Sequence, residues 1–265
     1  MQRWGVLLVF LFTVIGFQAK ADLAFNNINA DDLAVINKDF SSTFAYSSVS
    51  GPSSLGNIFG IEAGIIAGGA MTEGIEALAK EVDASSEVSF LPHAWLVGAL
   101  TVPFGITAEV NIIPELDGGD VKFEHLGLGV KWTISDMIPI PAVAVSVKGF
   151  FSQSKVKFSQ TVGAVNSDIS YENSMYGLLA QVGMNLLIVE PYVGLGWVSS
   201  EGDLSSTASA VFDPSLTTGT SATSEEDGTF VQAGVNLKLL LIRLGFEYQR
   251  TFDADRFSAK LSLKF

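Results

Sequence analysis

The sequence predicts a membrane-spanning, antiparallel up-and-down β-barrel of about ten strands, with eight or twelve as alternatives, preceded by a short helical extension. Three observations predict it. The last ten residues alternate strictly, with Phe257, Ala259, Leu261, Leu263 and Phe265 on one face and Arg256, Ser258, Lys260, Ser262 and Lys264 on the other. A strand with one apolar and one charged face needs lipid on one side and a polar interior on the other. Although 48% of the chain is hydrophobic, no apolar run after Phe17 reaches the ~20 residues of a spanning helix. The connections also alternate: long ones near 70–90, 113–121, 158–173 and 200–228, short ones near Val102-Pro103, 135–141, Leu187-Ile188 and Leu240-Leu241. Bacterial barrels place their long loops outside and their tight turns in the periplasm.

The strands follow from the period-two pattern. The first runs from Ile58 to Gly69 and sets Phe59, Ile61, Ala63, Ile65 and Ala67 against Gly60, Glu62, Gly64, Ile66 and Gly68. The second, near Leu91 to Thr101, has an ambiguous register. Phe104 to Ile113, Phe123 to Ile134 and Ala142 to about Phe158 follow, the last long enough to project beyond the lipid. Strands six to nine are read over Tyr176–Leu187, Val189–Ser199, Phe230–Leu240 and Ile242–Arg250, and the tenth is the terminal segment. Trp132, Trp197, Tyr176, Tyr248, Phe104 and Phe265 fall near strand ends, where aromatic girdles form.

Ahead of the barrel, residues 1–21 read as a signal peptide. Arg3 precedes an apolar run from Trp4 to Phe17, and Ala19-Lys20-Ala21 supplies a small-x-small cleavage site. Residues 22–57 read as a helix and linker forming a candidate periplasmic plug or cap, and residues 58–265 as the barrel. Asn29 is a natural N-cap, Asp31 and Asp32 suit a first turn, and Leu33, Ile36, Phe40 and Phe44 keep helical spacing. Met71 to Val82 carries Ile75, Leu78, Ala79 and Val82 at the same spacing, which suggests an amphipathic helix on the outer interface.

The face assigned to the lumen carries both signs of charge: Glu62, Glu109, Glu190 and Glu247 against Lys131, Lys148, Lys238, Arg243 and Lys260. Charges in such an interior must be paired or watered, so they are expected to form a network. Inward glycines, among them Gly127, Gly129, Gly183 and Gly245, remove volume from the same face. Either the wall bends there or something else fills the space. Ser262 is expected to accept an arginine far better than the lipid-facing Leu261.

The net charge of −13 becomes −15 once Arg3 and Lys20 leave with the leader, a balance unsuited to nucleic acid. No catalytic, metal or cofactor site is read. His93 and His125 have no serine at a useful sequence spacing, and Asp117-Gly118-Gly119-Asp120 is a turn. The absence of cysteine excludes disulfides and lipoprotein modification. The loop 201–228, rich in Ser and Thr and carrying Glu201, Asp203, Asp213, Glu225, Glu226 and Asp227, is expected to be solvated and mobile.

The terminal alternation through Phe257, Leu261, Leu263 and Phe265 resembles the signal that hands Gram-negative outer-membrane proteins to the barrel-assembly machinery. That resemblance implies Sec-type export, integral location in the cell outer membrane, and outer-membrane lipid and lipopolysaccharide as surroundings. A helix tethered before the first strand is loosely similar to the layout of the long-chain fatty acid transporter family, in which an N-terminal segment plugs a larger barrel. The expected function is passage or binding of a small solute through a narrow or gated lumen. The alternative is a structural or surface-interaction protein acting through acidic outer loops.

Overall fold

A computed structural model describes residues 25–265 except 57, 83, 87, 118–120, 139–141, 163–164 and 209–210. The predicted leader lies outside the described residues.

Ten antiparallel strands close into one barrel. In chain order they are β1 (Gly60–Met71), β2 (Phe90–Val102), β3 (Ile106–Asp117), β4 (Val121–Thr133), β5 (Val143–Val162), β6 (Val165–Met184), β7 (Val189–Ser206), β8 (Ser221–Leu239), β9 (Ile242–Thr251) and β10 (Ala254–Lys264). Each strand pairs with its sequence neighbours, and β10 returns to β1, so no edge is left unpaired. At that seam Ala63 lies opposite Leu263 and Ile66 opposite Lys260. Among the described residues two α-helices accompany the barrel: α1 (Ala30–Phe44), ahead of β1, and α2 (Glu73–Val82), between β1 and β2.

The β2–β3, β4–β5, β6–β7 and β8–β9 connections lie at one end of the barrel, together with Gly60 and Lys264; this is the turn end, whereas the two-residue β9–β10 connection lies at the other. The opposite, loop end carries α2 and the far ends of β5 to β8.

The strands at the loop end are longer than the sequence pattern indicated. β6 begins at Val165 instead of near Tyr176, β7 continues to Ser206, and β8 begins at Ser221. The segments 158–173 and 200–228 are therefore mostly paired sheet, with Glu201 opposite Glu225 and Asp203 opposite Thr223. The cause is an inversion of polarity along each strand. On β6 the outward positions Tyr176 and Leu178 are apolar, whereas Ser174, Glu172 and Asp168 are polar and the inward Ile169 and Tyr171 are buried. β7 changes likewise between Trp197 and Glu201. Tyr176 and Trp197 meet edge to face across this boundary, 5.7 Å between ring centroids. An alternation that reverses its sense reads as a loop when one face is assumed apolar throughout.

Candidate functional site

The lumen is occupied by the chain itself. Residues 25–56 enter among the loop-end strands and run to the turn end, where β1 begins. Phe25 is held by both ends of the Gln160 side chain: its N–H donates to Oε1 at 2.7 Å and its carbonyl accepts from Nε2 at 2.9 Å. Ile28 bridges to Phe212 in the β7–β8 connection. The Asn29 carboxamide then caps α1, accepting from the Asp31 and Asp32 N–H groups, while the Asp32 carboxylate accepts from the Asn29 N–H at 3.0 Å. This capping box satisfies donors that the helix start would otherwise leave open.

Helical spacing places Leu33, Ile36, Phe40 and Phe44 on one face, and all four are buried with Phe158, Ile169, Tyr171 and Leu204 of the extended strands. The Phe40 and Tyr171 rings stack at 4.7 Å. The loop half of the barrel therefore holds an apolar core like that of a soluble domain. α2 closes it from above: Ile75 and Ala79 are fully buried in that core, and the Ile75 N–H donates to Asp39 Oδ2 of α1 at 2.8 Å. α2 is thus a lid on the plug and not a helix resting on lipid. Desolvation raises the Asp39 carboxyl from 3.8 to about 6.

Below α1 the chain is extended and serine-rich, and the surroundings become ionic. Tyr46 Oη donates to Glu109 at 2.7 Å, and Ser50 Oγ donates to the same carboxylate at 3.0 Å. Lys148 and Lys131 lie 2.8 and 3.5 Å from Glu109. Lys131 also donates to the carbonyls of Gly51 and Ser53. Glu190 pairs with Lys238 at 2.9 Å and accepts from the Ser53 N–H. Glu247 accepts from Ser47 and Tyr192. Glu62 joins Lys260 at 2.6 Å, Arg243 at 3.4 Å and Ser262 at 2.8 Å. All nine residues of the expected charge set thus face the lumen, the five cations grouped around Glu62, Glu109 and Glu190, while Glu247 is held by hydroxyls. Three of the four carboxylates also bond the plug directly.

The glycines of the wall admit this segment. A Cβ on Gly129 would lie 2.5 Å from Tyr46 Oη, and one on Gly183 would meet Pro52 at 3.0 Å. Cavities beside the segment, at Tyr46–Ser48 and at Ser50–Ser53, have about 10 and 20 Å³, each room for about one water.

Arg256 belongs to the same site. It donates to the carbonyls of Thr43 and Ala45 at the end of α1 and to Gln249, and its guanidinium lies 5.8 Å from the Trp95 ring. Trp95 is sandwiched between His93 and His125 at 4.3 and 5.1 Å. Both histidines do meet a serine, contrary to the sequence spacing, because the partners stand on other strands. His93 Nε2 is 3.1 Å from Ser258 Oγ, and His125 Nδ1 is 2.8 Å from Ser154 Oγ, with Nε2 3.1 Å from Asn111 Oδ1. All of these groups are buried, and neither cavity reaches them. Their geometry builds a stacked wedge between wall and plug.

On the outer face, Phe257, Leu261, Leu263 and Phe265 are all exposed and join the apolar belt.

Residues 2–265 match a family described as of unknown function (DUF6588). The chain belongs to the DUF6588 family. No curated protein matches it in sequence. Among solved structures, this DUF6588 chain is similar to the translocator domain of the autotransporter NalP from Neisseria meningitidis, at 12% identity and a TM-score of 0.51, over 79% of this chain and 89% of that one. It also aligns with Ail, the attachment invasion locus protein of Yersinia pestis, at 13% identity and a TM-score of 0.36, over 78% and 97% of the two chains. The fold is that of the outer-membrane β-barrels.

Proposed function

We propose that this protein is a self-plugged outer-membrane barrel whose working surface is the sheet that β5 to β8 raise above the membrane. In this reading the turn end faces the periplasm and the loop end faces outward. The observation that carries it is the lumen. Residues 25–56 run through it from the loop end to the turn end, hydrogen-bonded to the wall along the way, which obstructs a solute path.

The exposed sheet suits contact with other molecules. Its strands run 18 to 20 residues, about twice the 9–11 that cross the lipid. The projecting part is rigid because an internal apolar core supports it. Its outward face is acidic on β6 to β8, through Glu172, Glu201, Asp203, Glu225 and Asp227. Such a surface favours cationic partners and disfavours anionic ones.

Passage of a small solute is the second reading. It is favoured by the lower half of the plug, whose contacts with the wall are mostly hydrogen bonds and ion pairs that water can replace. Single-channel recording on planar bilayers separates the two. The scaffold reading expects the full chain to stay silent and a chain lacking residues 25–56 to conduct. Spontaneous openings of the full chain would favour gated passage.

A further inference from the structure

The turns at the periplasmic end break two rules at once. Tight turns usually carry polar residues, and positions with positive φ usually carry Gly or Asn, because a side chain there meets the following carbonyl. Here Phe104, Leu187 and Leu240 stand at turn positions with φ of 71°, 26° and 54°. They are also 72%, 92% and 100% exposed. The two-residue β8–β9 hairpin consists of Leu240-Leu241, where Asn-Gly would be the relaxed choice. Positive φ strains the backbone of such bulky residues, so the sequence keeps large apolar tips at a conformational penalty. The fourth turn repeats the chemistry with exposed Met137 and Ile138.

The tips continue an interface already described. On β8 the outward apolar run from Val231 to Leu239 passes without interruption into Leu240 and Leu241. At ~3.3 Å per residue and a tilt near 40°, that run covers about 20 Å, most of the ~25 Å height of the lipid-facing band of a barrel. The turn tips therefore fall at the inner edge of the lipid.

We infer that the turn tips form a lipid-inserted ring, with Phe104, Leu187 and Leu240 seated among the acyl chains and glycerol groups of the inner leaflet. The ring fixes the depth of the barrel. The occupant is phospholipid, because the ring is continuous with the lipid belt. This inference rests on the outer-membrane orientation proposed above.

The chain has no cysteine, so single-site labelling tests it directly. The full chain is reconstituted into phosphatidylcholine vesicles with a nitroxide at Leu240→Cys, at Val235→Cys in the belt, or at Glu225→Cys on the projecting sheet. Collision rates with oxygen and with a water-soluble nickel chelate are then compared. A label at 240 that resembles the one at 235, with oxygen favoured over nickel, is the expected result. A label at 240 as open to nickel as the one at 225, while 235 stays in lipid, overturns the ring. If 235 is also open to nickel, the barrel orientation itself fails.

Discussion

Lys260 Nζ on β10 lies 2.6 Å from Glu62 Oε1 on β1, so the two ends of the barrel wall are joined by a buried ion pair as well as by backbone hydrogen bonds. Arg243 from β9 reaches the same carboxylate. Removing one partner of a buried pair strands the others. Glu62→Gln is expected to cost about 3–5 kcal/mol, seen as a lower urea midpoint in detergent. Glu62→Leu combined with Lys260→Met is expected to recover most of it.

Leu261 and Ser262 share the same strand and face opposite ways. Leu261→Arg puts a charge on the lipid belt and is expected to cost about 2–4 kcal/mol, read as loss of the heat-modifiable folded band on gels. Sequence reasoning made Ser262 the tolerant site. Instead its side chain is 2% exposed and donates to Glu62, so Ser262→Arg is expected to impair folding as well. The tolerant site is Gln153, on the outward face above the belt, where arginine should change stability by no more than about 0.5 kcal/mol.

Tyr46 occupies the space that Gly129 leaves. Gly129→Leu is expected to expel the ring from its hydrogen bond with Glu109, at about 1–3 kcal/mol for overpacking. The measurement is protease sensitivity of residues 45–56, which should rise while the barrel itself stays folded.

Asp39 couples the plug to its lid. Its carboxyl titrates higher in the fold, about 6, than in the open chain, 3.8. A raised carboxyl pKa means that the folded state binds the proton more tightly. Its contribution is therefore fully present below about pH 4 and is lost as the pH rises through 6. The protection factors of α2, which are free of the intrinsic pH dependence of exchange, are expected to be higher at pH 4.5 than at pH 8, and Asp39→Asn is expected to remove much of that difference. Equal protection factors at both pH values in the parent protein would contradict the coupling.

The path of residues 25–56 gives a topological prediction. Phe25 lies among the loop-end strands, so an epitope placed immediately before it is expected to be bound by antibody on intact cells. Detection only after the outer membrane is opened would contradict this orientation.

The barrel was legible in the sequence because nearly every strand below the interface keeps one apolar and one polar face, as β10 does from Phe257 to Lys264. The loop-end sheet was not, because Ile169, Tyr171 and Leu204 turn inward there and the polarity code reverses. The N-cap at Asn29 and the helical spacing to Phe44 were visible locally. Their placement inside the barrel was not, since it depends on contacts more than a hundred residues away, such as Phe25 with Gln160. One signal did exist: inward glycines facing a serine-rich linker describe a groove and the strand of chain that fills it. The histidine pairings were invisible for the same reason as most cross-strand contacts. Ser154 and Ser258 stand 29 and 165 residues from their partners.

The plug lies directly ahead of β1, and β1 is one side of the seam. A chain that bonds to the inner wall of most strands cannot be inserted through a finished ring with its lid already in place. Assembly must therefore keep the β1–β10 edge open until the leading segment has been drawn across the bilayer, with its front end delivered to the far side before the wall is sealed. The last backbone bonds to form, between Ile61 and Phe265, would then act as a one-way latch: once they are made, the thread can neither retreat nor be replaced.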